Sequence, residues 1–363
     1  MPPRSRSFNY TAVDLFSGAG GLSVGLEKAG FDVVGAVEIY KPAVDTYRQN
    51  HQHTCVLESD VKQISGTDLL KLSPTGKIDL IAGCPPCQGF STLTNKYKRR
   101  DPRNELALEM LRLILEVQPR LVMMENVPGL ARKGKTIFDR FVKTLEENGY
   151  VVNFNVLQVA DYGVPQMRKR LVLLAGKGFS VDIPEGNFSA TGGNGKKKWQ
   201  DLKSVIANAP IPVTLSKSMK LGGPRACKWN VVRDLSSINQ ERLKHALPGQ
   251  GRRFLPKELR PKCHADCDQG FSNVYGRLSW DKPSVTITAG CTTLSKGRFG
   301  HPDALRTLSV REAALIQTFP PNYDFVTPYM EQACIMIGNA LPCRFAKVLA
   351  QRCYDALEQH EKS

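Results

Sequence analysis

Two cysteines with Cys-x-x-Cys spacing lie in a turn that contains two prolines, and a thiolate is a strong nucleophile. Residues 83–91 read Gly-Cys-Pro-Pro-Cys-Gln-Gly-Phe-Ser and follow a short apolar run at 78–82. That run is typical of a buried parallel strand, and the prolines fix φ within the turn. Three interpretations follow: Cys87 is a nucleophile, Cys84 and Cys87 form a redox pair, or the thiols are structural.

The elements around this turn alternate between strands and helices. Strands are predicted at 12–16, 32–37, 121–124 and 171–175, in addition to the strand before Cys87, and helices are predicted at 22–29 and 41–50. The alternation favours an α/β fold with a doubly wound, mostly parallel sheet. In such sheets the chemistry lies just beyond the carboxyl ends of the strands, where this turn is placed.

The chain changes character after about residue 176. Between Lys220 and Lys262 there are eleven Lys or Arg residues and three acidic residues, with prolines, glycines and little periodicity. Helical periodicity resumes at 309–318, and a final helix is predicted to end near 358. The sequence therefore predicts a large α/β domain, formed by 1–178 and 301–363, that is interrupted by a small basic domain at 179–300.

The net charge points to a polyanionic partner. The 363 residues include 50 Lys and Arg against 34 Asp and Glu, which gives a net charge of +16. Such an excess favours nucleic acid. We expect no membrane span, since no run of about 18 apolar residues is present, and the first seven residues lead into no apolar signal core. The ten dispersed cysteines are typical of a reducing compartment.

A glycine-rich turn between the first strand and helix indicates a cofactor. Gly18, Gly20 and Gly21 allow close approach of a nucleotide-like ligand, but Ser23 stands where the dinucleotide fingerprint needs a third glycine. Glu38 lies twenty residues after Gly18, where an acid can bind ribose hydroxyls. Asp60, at the next strand end, is suited to accept a hydrogen bond from an adenine amino group. Ser23 argues against NAD, and Glu38 with Asp60 favours another adenosine-containing cofactor over a turn that serves only packing.

Five ordered motifs together resemble the DNA cytosine-5 methyltransferases. They lie at residues 14–21, 85–91, 125–127, 166–170 and 338–342 and span nearly the whole chain. The resemblance implies the class I S-adenosylmethionine-dependent methyltransferase fold and S-adenosyl-L-methionine as cofactor. It also implies double-stranded DNA as substrate and a target-recognition domain within the basic insertion.

The resemblance assigns roles in catalysis. Cys87 attacks C6 of a flipped-out cytosine, and Glu125 hydrogen-bonds the N3 and amino edge of that base. Arg170 contacts the base carbonyl, and Arg168 supports the base or a neighbouring phosphate. These roles fit the chemistry, since C5 of cytosine becomes nucleophilic only after addition at C6, and the base must leave the duplex to react.

The resemblance also assigns residues to the cofactor and to DNA. The cofactor set is Phe16, Ser17, Gly18, Ala19, Gly20, Gly21, Glu38, Ile39, Asp60, Val61, Gly83, Pro85, Asn339 and Ala340. The DNA set is Gln88, Ser91, Lys96, Lys98, Arg99, Arg100, Arg252, Arg253 and Thr286. Residues 92–104 resemble the loop that closes over DNA in this family, and the alternative is a plain surface loop.

Two other functions remain open. The first is an RNA (tRNA) cytosine-5 methyltransferase, although that group typically has Pro-Phe-Thr in the turn where this chain has residues 89–91, Gly-Phe-Ser. The second is a non-catalytic DNA-binding relative, although all the named catalytic residues are present. Cys263, His264 and Cys267 resemble a fragment of a zinc site, but no second ligand pair follows at structural-zinc spacing, so no metal is predicted. We expect an intracellular monomer that lies with DNA in the cytoplasm and nucleoid or in the nucleus, and a partner restriction endonuclease is left open.

Overall fold

A computed structural model describes residues 9–86, 105–262 and 270–363. The chain divides into two compact units. The first contains the chain up to Tyr162, Lys169–Asn187 and Leu341–Ser363, and the second contains Gly163–Arg168 and Phe188–Ala340. The predicted domain limits at 178 and 300 stay a prediction; the second unit defined by packing extends well beyond 300.

The first unit is built on a seven-stranded sheet. Its strands are β1 (Tyr10–Leu15), β2 (Phe31–Glu38), β3 (Cys55–Glu58), β4 (Leu80–Gly83), β5 (Leu121–Asn126), β6 (Tyr150–Gln158) and β7 (Lys169–Lys177). Their order across the sheet is β3-β2-β1-β4-β5-β7-β6. Pairing is parallel from β3 to β5, and β7 runs antiparallel to both β5 and β6. This confirms the predicted doubly wound, mostly parallel α/β sheet.

Helices connect these strands and cover the sheet. They are α1 (Gly21–Ala29), α2 (Lys41–Asn50), α3 (Gly66–Leu70), α4 (Leu106–Val117), α5 (Lys135–Glu147) and, from the end of the chain, α11 (Cys343–Lys362). The central strands β1, β4 and β5 are almost completely buried, as expected for parallel strands covered on both faces. The predicted helix at 41–50 is confirmed, and the final helix runs four residues beyond the predicted end near 358.

Helix α11 returns from the end of the chain to pack on α1. A Cβ atom on Gly25 would lie 2.4 Å from the Cβ atom of Ala346, so only glycine allows this close approach. At the far end of α11, the Tyr10 hydroxyl donates to Glu361 at 2.6 Å, and the Arg120 guanidinium lies 2.6 Å from the same carboxylate. These contacts tie the end of α11 to the sheet beside β1.

The second unit has little regular structure, in agreement with its sequence. Its elements are β8 (Phe188–Ser189), β9 (Lys197–Lys198), α6 (Lys203–Ile206), β10 (Val213–Thr214), α7 (Leu215–Lys220), β11 (Val231–Val232), α8 (Ser237–His245), α9 (Val310–Ile316) and α10 (Met330–Asn339). Trp229 is fully buried and its indole N–H donates to the Phe325 carbonyl at 2.9 Å. Helix α9 begins with a capping box in which Ser309 and Glu312 bond each other's backbone N–H groups.

One helical stretch in the described ranges, Met330–Lys362, is long and apolar enough to cross a membrane by length and composition alone. Of its most apolar window, 67% is buried inside the protein. The stretch consists of α10 and α11 with a break at Ala340–Pro342.

Candidate active site

The glycine turn after β1 adopts a left-handed backbone at three positions. Phe16 has φ 58°, Gly18 has φ 54° and Gly20 has φ 89°. The Ser17 N–H donates to the Val37 carbonyl at 3.1 Å, which fixes the turn against the end of β2. A non-glycine residue with positive φ is uncommon, and the strained Phe16 lies in the first motif. The turn directs the first N–H groups of α1 toward the carboxyl edge of the sheet.

Glu38, at the end of β2, is held in one orientation by backbone donors. Its Oε2 accepts the Gly18 N–H at 2.8 Å, and its Oε1 accepts the N–H groups of Ile39 and Tyr40 at 2.9 and 2.7 Å. Each carboxylate oxygen has more than one acceptor lone pair, so the fixed carboxylate retains capacity to bind hydroxyl groups of a ligand. The Ile39 side chain beside it is 65% exposed.

Asp60 and Val61 follow the end of β3 next to Glu38. The Ser59 N–H donates to the Glu38 carbonyl at 3.1 Å, which joins the two strand ends. One oxygen of Asp60 accepts the Lys62 N–H at 3.0 Å and caps a short 3-10 turn, while Val61 is buried. The structure therefore brings Glu38, Asp60 and the glycine turn to the same edge of the sheet.

Two buried side-chain atoms at this edge fit a cofactor with polar groups. Asp14 Oδ1 and Ser17 Oγ are buried and have no hydrogen-bond partner among the described residues, although buried polar atoms are normally paired. Burial raises the pKa of Asp14 to about 7, against a hydrogen bond from Ser23 that lowers it. The fixed carboxylate, the glycine turn and these atoms fit an adenosyl amino acid.

The residues predicted for catalysis in the first unit converge on the end of β5. Arg170 Nε lies 2.5 Å from Glu125 Oε1, and their side chains are only 14% and 9% exposed. This contact is a buried ion pair between the Glu125 carboxylate and the Arg170 guanidinium. The neighbouring Asn126 donates its amide to the Pro85 carbonyl at 3.0 Å, which ties the turn after β4 to β5.

Cys84, in that turn, is half-buried, and its environment opposes thiolate formation. Burial raises the pKa of the Cys84 thiol well above its usual range, and the charge of Glu125 and then of Asp14 raises it further. A thiol held protonated is a poor nucleophile and a poor redox partner. This environment fits the interpretation of Cys84 as a packing residue.

Arg168 is buried in the second unit rather than open to a ligand. It is 4% exposed, and its NH1 group donates to the carbonyls of Ile287 and Gly338 at 3.2 Å each. The Thr286 hydroxyl donates to the Met167 carbonyl at 2.9 Å. Both side chains therefore support the backbone around the fourth and last motifs, and their predicted DNA and base contacts stay predictions.

Two glutamines, Gln166 and Gln317, hydrogen-bond to each other, and Gln317 also bonds to the backbone around Asn339. Neither side chain has a role in the sequence-based prediction. Gln166 donates to Gln317 at 2.7 Å and accepts the Ile287 N–H at 3.0 Å. Gln317 in turn donates to the Ile337 and Ala340 carbonyls at 2.6 and 3.0 Å. Only the position of Gln166 inside a motif signalled its importance, because its partner lies 151 residues away.

The chain matches a known protein family over almost its full length. The family model described as C-5 cytosine-specific DNA methylase matches residues 10–355. The chain belongs to the C-5 cytosine-specific DNA methylase family. It is 34% identical to the Type II methylase M.HgiDII of Herpetosiphon aurantiacus over 356 residues, which cover 96% of this chain and 97% of the relative. It is 33% identical to the Type II methyltransferase M1.BsuMI of Bacillus subtilis, with 93% of this chain and 78% of the relative covered.

Two solved structures of methyltransferases share the fold. A putative DNA modification methyltransferase encoded within a prophage of E. coli superimposes with a TM-score of 0.71 at 24% identity, over 96% of this chain and 100% of that one. The S. pombe Dnmt2 methyltransferase superimposes with a TM-score of 0.65 at 18% identity, over 97% and 99% of the two chains. These structures show the shared fold. The family model and the curated relatives identify a DNA cytosine-5 methyltransferase and leave the RNA alternative less supported.

Several residues named in the sequence analysis, some for catalysis or DNA binding and three as a fragment of a zinc site, lie outside the described ranges. They are Cys87, Gln88, Ser91, Lys96, Lys98, Arg99 and Arg100 in one segment, and Cys263, His264 and Cys267 in another. Within the described ranges, no group of three or more His, Cys, Asp or Glu side chains is placed to hold a metal ion.

The two arginines predicted to bind DNA in the basic region differ in exposure. Arg252 is fully buried and its Nε donates to the Phe271 carbonyl at 2.9 Å, whereas Arg253 is exposed. The structure thus gives Arg252 a role in the packing of the second unit, and a direct DNA contact stays a prediction for both.

Proposed function

We propose that this DNA cytosine-5 methyltransferase modifies a cytosine flipped out of a specific double-stranded sequence, with Cys87 as the covalent nucleophile. The observation that carries the proposal is the buried ion pair of Glu125 and Arg170 at the end of β5. The turn that leads to Cys87 is tied to the same strand end through the hydrogen bond between Asn126 and Pro85.

The proposed reaction begins when the Cys87 thiolate adds to C6 of the base. Glu125 would accept a hydrogen bond from the amino group of the base and share a proton with N3 as charge develops on the ring. Arg170, already oriented by Glu125, would bind the base carbonyl and stabilise charge that develops on the ring. Loss of the proton from C5 after methylation then expels Cys87 and restores the aromatic base.

The cofactor that fits the edge of the first unit is S-adenosyl-L-methionine, which supplies an electrophilic methyl group when bound. Glu38 would bind the ribose hydroxyls and Asp60 with Val61 the adenine. The turn at Phe16–Gly20 would hold the methionine end and one face of the adenine. Support for these roles comes from the fixed Glu38 carboxylate and the unpaired buried oxygens of Asp14 and Ser17.

The biological setting that we infer is restriction and modification of DNA inside the cell. The curated relatives are named as Type II methylases and methyltransferases, and the net charge of +16 suits a DNA substrate. On this proposal, methylation protects DNA from a partner endonuclease, and the basic insertion at 179–300 selects the site.

Bisulfite sequencing tests the reaction and the substrate together. Unmethylated plasmid DNA and unmodified tRNA are each incubated with the protein and S-adenosylmethionine, and Cys87→Ser serves as the matched control. We expect protected cytosines at one recurring sequence in the DNA, none in the tRNA, and none with the variant. Protection of tRNA alone would favour the RNA alternative, and protection by Cys87→Ser at the wild-type rate would refute the covalent mechanism.

A further inference from the structure

Strand β6 forms one edge of the seven-stranded sheet, and its apolar side chains are open to solvent. Among the described residues, β7 is the only strand that pairs with it. Val151, Phe154 and Val156 are 43%, 49% and 37% exposed. An exposed edge presents unpaired backbone N–H and C=O groups to which a further strand can be added.

The backbone register shows which residues of β6 direct these groups outward. In β7, the N–H of Lys177 donates to the Arg120 carbonyl, which lies on the β5 side of the strand. Tyr150 of β6 is the residue opposite Lys177 and therefore receives no hydrogen bond from this N–H. In an antiparallel ladder this pattern alternates, and every second residue from Tyr150 therefore faces outward. Val156 agrees independently, because its N–H donates to the side chain of Asn155 at 2.7 Å instead of to β7.

The sequence of this edge is self-complementary. Residues 152–156 read Val-Asn-Phe-Asn-Val, the same in both directions. If two copies pair antiparallel about a two-fold axis at Phe154, that residue lies opposite itself, Val152 opposite Val156 and Asn153 opposite Asn155. The backbone groups that face outward then meet each other. The Phe154 pair exchanges two hydrogen bonds, and each pair of Val152 with Val156 does so once the Val156 N–H leaves the Asn155 side chain. The opposed aromatic, aliphatic and amide side chains are favourable cross-strand pairs.

The absence of charge on β6 is compatible with a second copy as the occupant of this edge. The chain has a net charge of +16, and like charge opposes self-association. Residues 150–158 contain no charged side chain, whereas edge strands that avoid pairing usually carry lysine or another charge. Two basic chains can therefore meet along β6 without placing like charges against each other within the strand pair.

We propose that two copies of the chain form a two-fold symmetric dimer through β6, with the sheet of one copy continuing into that of the other. The contact is isologous, as the palindromic strand requires. The dimer replaces the monomer expected from the sequence, and it is independent of the methylation chemistry proposed above.

Light scattering coupled to size-exclusion chromatography tests the dimer on the full chain without DNA, at several concentrations. The wild-type protein should show twice the chain mass of 40.2 kDa. Phe154→Lys and Phe154→Glu should each run as monomers, because each places like charges together at the axis, and an equal mixture of the two should dimerise again. A wild-type monomer at every concentration, or a mixture that stays monomeric while both variants are folded, would overturn the proposal.

A cross-linking experiment tests the register without changing Phe154, which also packs on Phe138. Asn153→Cys mixed with Asn155→Cys should give a disulfide-linked dimer under mild oxidation, identified by mass spectrometry of the joined peptides. Either variant alone should not, because each new cysteine then faces an asparagine. Equal linking in all three samples, or none in the mixture, would contradict this register. For the light-scattering experiment, the matched control is Phe271→Lys. Phe271 lies in the second unit and its side chain is 60% exposed, so this substitution should leave the dimer unchanged.

Discussion

Replacing Asp14 by asparagine should stabilise the folded protein, and more so as the pH rises. The Asp14 carboxyl group is completely buried, accepts a hydrogen bond from Ser23 Oγ at 2.6 Å, and has no partner for Oδ1 among the described residues. Burial is the main cause that raises its pKa to about 7, and Glu38 and Glu27 add to the effect. Ionisation is thus opposed in the folded protein and unopposed in the unfolded chain.

The size of the effect follows from proton linkage. The unfolded chain releases this proton near pH 3.8 and the folded protein near pH 7, so the stability that the neutral carboxyl contributes is complete at low pH and is lost as pH rises to about 7. The difference corresponds to about 4 kcal/mol above that pH. The asparagine of the Asp14→Asn variant cannot ionise. The unfolding free energy of the variant, relative to wild type, should therefore rise by about 2.5 kcal/mol from about pH 5 to about pH 8.

Urea unfolding followed by circular dichroism, without cofactor, measures this difference at each pH. Asp68→Asn is the control with the opposite sign, because hydrogen bonds from Ser65 lower the pKa of Asp68 and make its carboxylate stabilising at high pH. An Asp14→Asn advantage that stays constant between about pH 5 and about pH 8 would refute the argument that a buried, poorly solvated carboxyl lies at this strand end.

Three further substitutions test the packing, the cofactor site and the choice between the two thiols. Gly25→Val should cost about 3 kcal/mol of unfolding free energy, measured in urea, because its side chain would collide with Ala346; an unchanged midpoint would contradict the close helix contact. Glu38→Gln should weaken S-adenosylmethionine binding by roughly tenfold or more in calorimetry, since a charge-assisted hydrogen bond is lost; equal affinity would exclude the carboxylate from the site. Cys84→Ala should retain at least about a third of wild-type methylation, since the other thiol, Cys87, is the proposed nucleophile; inactivity of a folded Cys84→Ala protein would reverse that assignment.

The strand ends of the site were predictable because parallel strands place their carboxyl ends at one edge. Glu38 and Glu125 each directly follow an apolar run, and short apolar runs indicate buried strands. Asp60 comes three residues after the shorter run Cys-Val-Leu at 55–57. Strand β6 was not predicted, because its Asn-Phe-Asn centre interrupts the apolar pattern and its outer side faces solvent.

Contacts between distant parts of the chain were not predictable. Tertiary packing determines the hydrogen bond of Gln166 to Gln317 and the burial of Arg168 and Arg252. No local sequence pattern indicates this packing. Charged residues are rarely buried, so the sequence favours exposed, ligand-facing roles for arginines that the structure uses to bind backbone carbonyls.

The covalent role of Cys87 is the central claim, and a duplex with 5-fluorocytosine at the methylated position tests it most directly. Fluorine at C5 cannot leave as a proton, so the methylated base should remain bonded to the enzyme. We predict a denaturation-resistant protein–DNA complex that forms only with S-adenosylmethionine, with peptide mass spectrometry locating the bond at Cys87, and no complex with Cys87→Ser. Normal methylation of cytosine by the same preparation with no trapped complex, or with the bond at another residue, would contradict the account.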